Sequence, residues 1–123
     1  MGLYREEETF KIIGICMEVH RILGGGLLEI VYKDALEYEF RKHNIPYERE
    51  KEYNIQYKEI VLAHKFYADF VVHDEIILEV KASKEIIDEH TAQTINYLKL
   101  ADSDLGIIVN FNKKTLQHKR VIH

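Results

Sequence analysis

The stretch that decides the fold is His64-Lys65-Phe66-Tyr67-Ala68-Asp69-Phe70-Val71-Val72-His73-Asp74-Glu75-Ile76-Ile77-Leu78-Glu79-Val80-Lys81-Ala82. Two strand-forming runs, 64–73 and 76–82, meet at a polar turn. Alternate side chains of a strand share a face, so Glu79 and Lys81 project together. Ile76, Leu78, Val80 and Ala82 point the other way. A three-residue turn at His73-Asp74-Glu75 pairs Val72 with Ile76 and sets Asp69 opposite Glu79. A two-residue turn would set Asp69 across from Val80, on the wrong face. Opposed carboxylates lie roughly 5 Å apart at Cβ and repel. A hard divalent cation relieves that repulsion, and magnesium binds through one or two carboxylates while keeping waters. Such an ion serves phosphodiester cleavage. A lysine on the same face orients the attacking water or neutralises charge on the phosphate. The competing reading is a surface strand with an ordinary Glu–Lys pair, because E-x-K by itself is a common tripeptide.

Outward from this stretch the apolar period changes. Residues 5–23 carry Ile12, Cys16, Val19 and Leu23, with Ile13 beside them, at helical spacing. Gly24-Gly25-Gly26 ends that helix, since glycine takes the left-handed cap conformation cheaply. A second helix fits 27–42, with Leu28, Val31, Ala35 and Tyr38 along one face, and stops at Asn44 and Pro46. From residue 51 the alternation of Tyr53, Ile55 and Tyr57 gives a half-buried strand. Residues 85–101 return to helical spacing through Ile87, Thr91, Ile95 and Leu98. Leu105 to Phe111 is an almost unbroken apolar run, expected as a central strand, and Leu116 to Ile122 is the last strand. The order α-α-β-β-β-α-β-β implies an α/β (α+β) architecture with a central mixed β-sheet flanked by helices. The helix between the third and fourth strands allows those two to run parallel.

The chain has 123 residues, 46% of them hydrophobic, 31% charged, and a formal net charge of -4. That is one domain, residues 1–123, with one substantial core. The negative balance argues against coating nucleic acid by bulk electrostatics, but an acidic metal site adds charge that its cation offsets. The lone Cys16 excludes an internal disulfide and a cysteine zinc cluster and reads as a core residue. The seven histidines contain no H-E-x-x-H or other zinc spacing. No run reaches the roughly 18 apolar residues of a membrane span. Met1 to Glu6 carries neither a signal-peptide core nor a myristoylation pattern, so a cytoplasmic location without membrane association is expected. Gly24-x-Gly26 is not a dinucleotide loop, because a helix precedes it and Glu29 stands where a third glycine belongs. His118-Lys119-Arg120 is a small basic patch read as a solvated surface.

Several separated blocks resemble one family: Val19-His20-Arg21-Ile22-Leu23-Gly24, Gly26-Leu27-Leu28-Glu29-Ile30-Val31-Tyr32, Ala35-Leu36, Glu39, Tyr57-Lys58, Ala68-Asp69, Glu79-Val80-Lys81, His90-Thr91-Ala92-Gln93, Asn96-Tyr97-Leu98 and Leu105 to Phe111. In this order they resemble the GxxExxY family of the PD-(D/E)XK nuclease superfamily, from about residue 6 to the end. The resemblance implies a restriction-endonuclease-like core. It also implies a metal site at Asp69, Glu79 and the Val80 carbonyl, with Lys81 catalytic and Glu29 completing the acidic set. Gln93 and Tyr97 match a Q-x-x-x-Y element that helps hold the site and the nucleic-acid end. The proline of the superfamily name is replaced by Ala68.

Glu29 and Tyr32 are i,i+3 on a helix and read as a ligand backed by a phenol, or as a first-turn Glu serving the helix dipole. Gln93 and Tyr97 share a helical face with His90 one turn before; a solvated face with one packed aromatic is the alternative. His20 reads more simply as part of a helix-end hydrogen-bond network than as a ligand. The expected function is a Mg2+- or Mn2+-dependent nuclease acting on DNA, with a homodimer or a protein partner extending its binding surface. The rivals are a catalytically quiet module that binds nucleic acid or protein, and a hydrolase of another phosphate ester.

Overall fold

The computed structural model describes residues 5–123. The reading of residues 1–4 as carrying no targeting signal lies outside the described residues. Eight elements follow the expected order: α1 (Glu6–Leu23), α2 (Glu29–Lys42), β1 (Tyr47–Tyr57), β2 (Ile60–Val72), β3 (Ile76–Lys81), α3 (Asp88–Ala101), β4 (Leu105–Asn110) and β5 (Gln117–Ile122). The five strands form one sheet in sequence order. All neighbours are antiparallel except β3 and β4, which run parallel. The α3 crossover makes that parallel pair possible. β4 lies between β3 and β5, and all six of its residues are buried.

Helices cover both sheet faces. Ile76, Leu78, Val80, Leu105, Ile107 and Val109 pack on one side with Ile12, Cys16 and Val19 of α1 and with Tyr32, Leu36 and Phe40 of α2. Ile77, Ile108 and Val121 pack on the other side with Leu98 of α3. The parity read from β3 is therefore the observed one: Ile76, Leu78 and Val80 face α1 and α2, with Ala82 packed alongside. The inner face of α2 differs from expectation. Leu28, Val31 and Tyr38 are exposed, whereas Tyr32, Leu36 and Phe40 are fully buried. These three are spaced i, i+4, i+8, so either stripe satisfies helical periodicity, and only packing against β3 and Phe111 selects between them.

β1 and β2 begin earlier than their hydrophobic patterns suggest and form a hairpin longer than β3. β2 pairs with β3 only through Phe70↔Leu78, Val71↔Ile77 and Val72↔Ile76. This is the register that the three-residue turn requires. Just beyond, β2 rolls over. Phe70 and Val72 join the α1/α2 side, while Ala68 belongs to the α3 side and Phe66 stacks on Tyr97 of α3. In a regular strand all four would share a face. The roll falls at Asp69, across from Glu50, which sits at φ 53 between the pairs Arg49↔Phe70 and Lys51↔Ala68. A left-handed residue inside a strand costs about 1 kcal/mol or more and turns the side chains that follow it to the opposite face.

Candidate active site

Where the β2–β3 ladder ends, side chains take over its hydrogen bonds. The Asp69 amide donates to Glu79 Oε2 at 3.0 Å, and the Val80 amide donates to Asp69 Oδ2 at 2.8 Å. The two carboxylates thus lie crosswise in the gap between the diverging strands. A strand residue directs its N–H and C=O to the same edge, so the Val80 carbonyl shares this gap. Glu79 is buried among apolar strands, 4% exposed. Burial first, and then the Asp69 charge, push its carboxyl up to about 8. The Asp69 amide and the charges of Lys81 and Lys33 oppose that shift.

Lys81 follows Glu79 on the α3 face, at the last pair of the parallel ladder, Lys81↔Asn110. Among the described residues it makes no salt bridge. The ion pair to the acidic site comes instead from a residue the sequence reading did not single out. Lys33 Nζ donates to Asp69 Oδ1 at 2.9 Å and to Glu50, and Lys33 as a whole is buried. Glu29 opens α2 and reaches the same end of the sheet, accepting from the Ala82 amide at 3.4 Å. Glu29 and Lys33 are i,i+4, the spacing that places two side chains over one helical stripe. That spacing was the available signal for Lys33. No three His, Cys, Asp or Glu side chains converge into one cation-binding group among the described residues. The structure joins Asp69 with Glu79 and leaves Glu29 beside them at Ala82.

The other candidates divide. Tyr97 stands against Phe66 at 4.5 Å, and Phe66 in turn stacks on Tyr53 at 4.8 Å. Burial raises the Tyr97 phenol, and the charges of Glu79 and Asp69 raise it further. Gln93, one turn earlier, is exposed. Tyr32 is fully buried and stacks on Phe111 at 4.4 Å. Its hydroxyl donates to Gly24 O at 2.6 Å and accepts from the Leu27 amide at 3.2 Å; it braces the glycine turn. His90 Nδ1 accepts from the Ile87 amide at 3.2 Å and so caps α3. His20 Nε2 meets Lys113 O at 2.8 Å and ties α1 to the β4–β5 turn. Cys16 is buried with its thiol pushed up to about 12, which leaves no thiolate for chemistry.

The loop after Lys81 is fixed by Asn110, which is fully buried. Its Oδ1 accepts from the Ser83 amide at 3.0 Å, and its Nδ2 donates to Ser83 O at 2.9 Å and to Gln117 Oε1 at 3.2 Å. Gln117 Oε1 also accepts from the Ile86 amide at 3.0 Å. The signal for Asn110 was an amide at the end of an otherwise apolar strand.

Carboxylate and carbonyl oxygens are hard donors, the set that magnesium and manganese prefer, and the Asp69, Glu79 and Val80 oxygens fit that class. A mixed sheet with helices on both faces thus carries an Asp and an E-x-K that meet where two strands diverge. The family model of the PD-(D/E)XK nuclease superfamily matches residues 6–121, and the chain belongs to that superfamily. Among solved structures, the crystal structure of SSO0001 is similar in fold, with a TM-score of 0.59 and 23% identity. The match covers 76% of this chain and 48% of that one, so the chain spans about half its length. No curated protein matches the sequence significantly. No helix among the described residues is long and apolar enough to cross a membrane.

Proposed function

We propose that this chain is a Mg2+- or Mn2+-dependent nuclease of the GxxExxY type that hydrolyses phosphodiester bonds of DNA. The observation that carries the reading is the crossed pair, with Asp69 Oδ2 on the Val80 amide and Glu79 Oε2 on the Asp69 amide. Asp69, Glu79 and the Val80 carbonyl would hold the ion, and Glu29 would contribute from α2. The bound ion supplies polarisation of the scissile phosphate and acidifies its water. Lys81, on the same strand face as Glu79, would orient the attacking water. Tyr97 would close the α3 side of the site, and Gln93, exposed on α3, would meet the strand that is cut. Residues 1–123 act in this reading as a single domain in the cytoplasm, and a second copy or a protein partner adds binding surface.

The test is incubation of supercoiled, linear and single-stranded DNA and of RNA with Mg2+, Mn2+ or EDTA. Metal-dependent cutting is expected, lost in Asp69→Asn and Lys81→Ala proteins that stay folded. Cutting that survives both changes belongs to a contaminant. A second reading, a binding module that retains the fold without cutting, is favoured by the Lys33 ammonium on Asp69. Nucleic-acid binding without cleavage under every metal condition would select it.

A further inference from the structure

Lys33 is buried beside the acidic pair, with its ammonium on Asp69. Lys33 contributes an ammonium, from a side chain 10% exposed, to two carboxylates of different character. One is Asp69, 19% exposed, which belongs to the crossed pair. The other is Glu50, 48% exposed, which stands across the hairpin from Asp69 at the left-handed position of β1. Asp69 meets two donors at once, the Lys33 ammonium on Oδ1 and the Val80 amide on Oδ2. A divalent ion brought to Asp69 and Glu79 therefore meets a positive charge already on one of its ligands. Like charges a few ångströms apart in a partly desolvated site are strongly unfavourable.

We infer that Lys33 is the built-in counter-cation of the metal-free site, and that a divalent ion displaces it from Asp69 onto Glu50. Two features support displacement over permanent occupancy. The ammonium already contacts Glu50, so it keeps a carboxylate partner after leaving Asp69. Its four-carbon stem carries a compact head with rotatable donors, unlike the fixed fork of arginine, so a small torsional change redirects it. The same arrangement sets a compensating charge beside the opposed carboxylates, because the Lys33 ammonium pairs with Asp69. The consequence is a deliberately weakened metal site, in which the ion must outcompete an internal charge. The inference rests on the metal-dependent reading above.

The experiment measures Mn2+ affinity directly, by titration calorimetry or by the loss of the free-ion paramagnetic resonance signal, with no substrate present. The proteins are wild type, Lys33→Met, Glu50→Gln and the double variant. Methionine keeps the aliphatic bulk and removes the charge. Lys33→Met is expected to bind Mn2+ about tenfold more tightly. Glu50→Gln removes the alternative partner and is expected to bind several-fold more weakly, an effect largely absent when Lys33 is already methionine. A lysine that merely braces the site would give the opposite sign, since losing it would loosen Asp69. Equal or weaker binding by a folded Lys33→Met protein overturns the inference and leaves the nuclease reading intact. If Lys33→Met does not fold, wild-type affinity in Glu50→Gln overturns it. Absence of Mn2+ binding in wild type and in Lys33→Met overturns both.

Discussion

Asp69 is positioned by backbone as much as by charge, because its Oδ2 accepts the Val80 amide at 2.8 Å. An asparagine there keeps an acceptor for that amide and loses the negative charge. Asp69→Asn is therefore expected to melt within a few degrees of wild type, yet to lose the thermal shift expected of Mn2+ on the wild type. Tyr32 differs although it lies in the same sequence block as Glu29. Its ring is stacked on Phe111 and its hydroxyl serves Gly24 and Leu27. Tyr32→Phe should cost about 1 kcal/mol in denaturant unfolding, the ordinary worth of such hydrogen bonds, and leave Mn2+ affinity unchanged. A large drop in affinity at unchanged stability would instead place the phenol at the metal. At this scale the sequence showed Asp69, Glu79 and Lys81 through strand parity and turn length. The i,i+4 spacing from Glu29 hinted at the side of α2 on which Lys33 lies, but its pairing with Asp69 and Glu50 stayed hidden because it needs α2 and β1 to meet over β2.

α3 carries Gln93 and Tyr97, and its seat on the sheet depends on Gly106 of β4. A Cβ at Gly106 would stand 2.8 Å from the Thr94 Cγ2 methyl. Gly106→Ala should push the helix outward and cost about 1–3 kcal/mol, the usual price of overpacking. Thr94→Ser removes the offending methyl and keeps the hydroxyl that donates to His90 O. Adding it to Gly106→Ala should restore much of the lost stability in chemical denaturation, and no restoration would show that the methyl is not the obstacle. α2 and β1 are joined by charge. The Tyr47 hydroxyl and then the Arg49 guanidinium hold the Glu37 carboxyl below its usual range, with Arg41 adding to the pull. A carboxyl whose folded pKa is depressed stabilises above its unfolded value of 4.5, and that contribution is lost as pH falls through the folded value. Glu37→Gln should therefore lower the melting temperature at pH 7 and converge on wild type at strongly acidic pH. A constant difference at all pH values would assign the effect to packing. Element order and type were legible in the sequence because the apolar period changes from 3.6 to 2 at clear boundaries. The inner stripe of α2 was not: Leu28, Val31 and Tyr38 and the buried Tyr32, Leu36 and Phe40 are both valid helical faces.

For the whole molecule, a divalent ion that binds the folded state and not the unfolded chain must raise stability by mass action. At an ion concentration about a hundredfold above the dissociation constant the gain is about 2.7 kcal/mol. Mn2+ should raise the unfolding midpoint of wild type, EDTA should reverse the rise, and an Asp69→Asn, Glu79→Gln double variant should show neither. With a net charge of -4, nucleic-acid binding should strengthen when the ion is present, since the ion adds positive charge to a chain with an acidic balance. By itself the sequence determined the succession of helices and strands and the face shared by Glu79 and Lys81, and it narrowed the register of Asp69 to two turn lengths, of which the structure shows the three-residue one. These are local properties, set by side-chain periodicity and by the length of one turn. Only the tertiary structure decided that β2 rolls over at Asp69 across from a left-handed Glu50, that the strands part there, and that a buried lysine from α2 enters the gap. Those features arise where three elements pack against one another, and long-range packing, unlike periodicity, is not written in the spacing of any single segment.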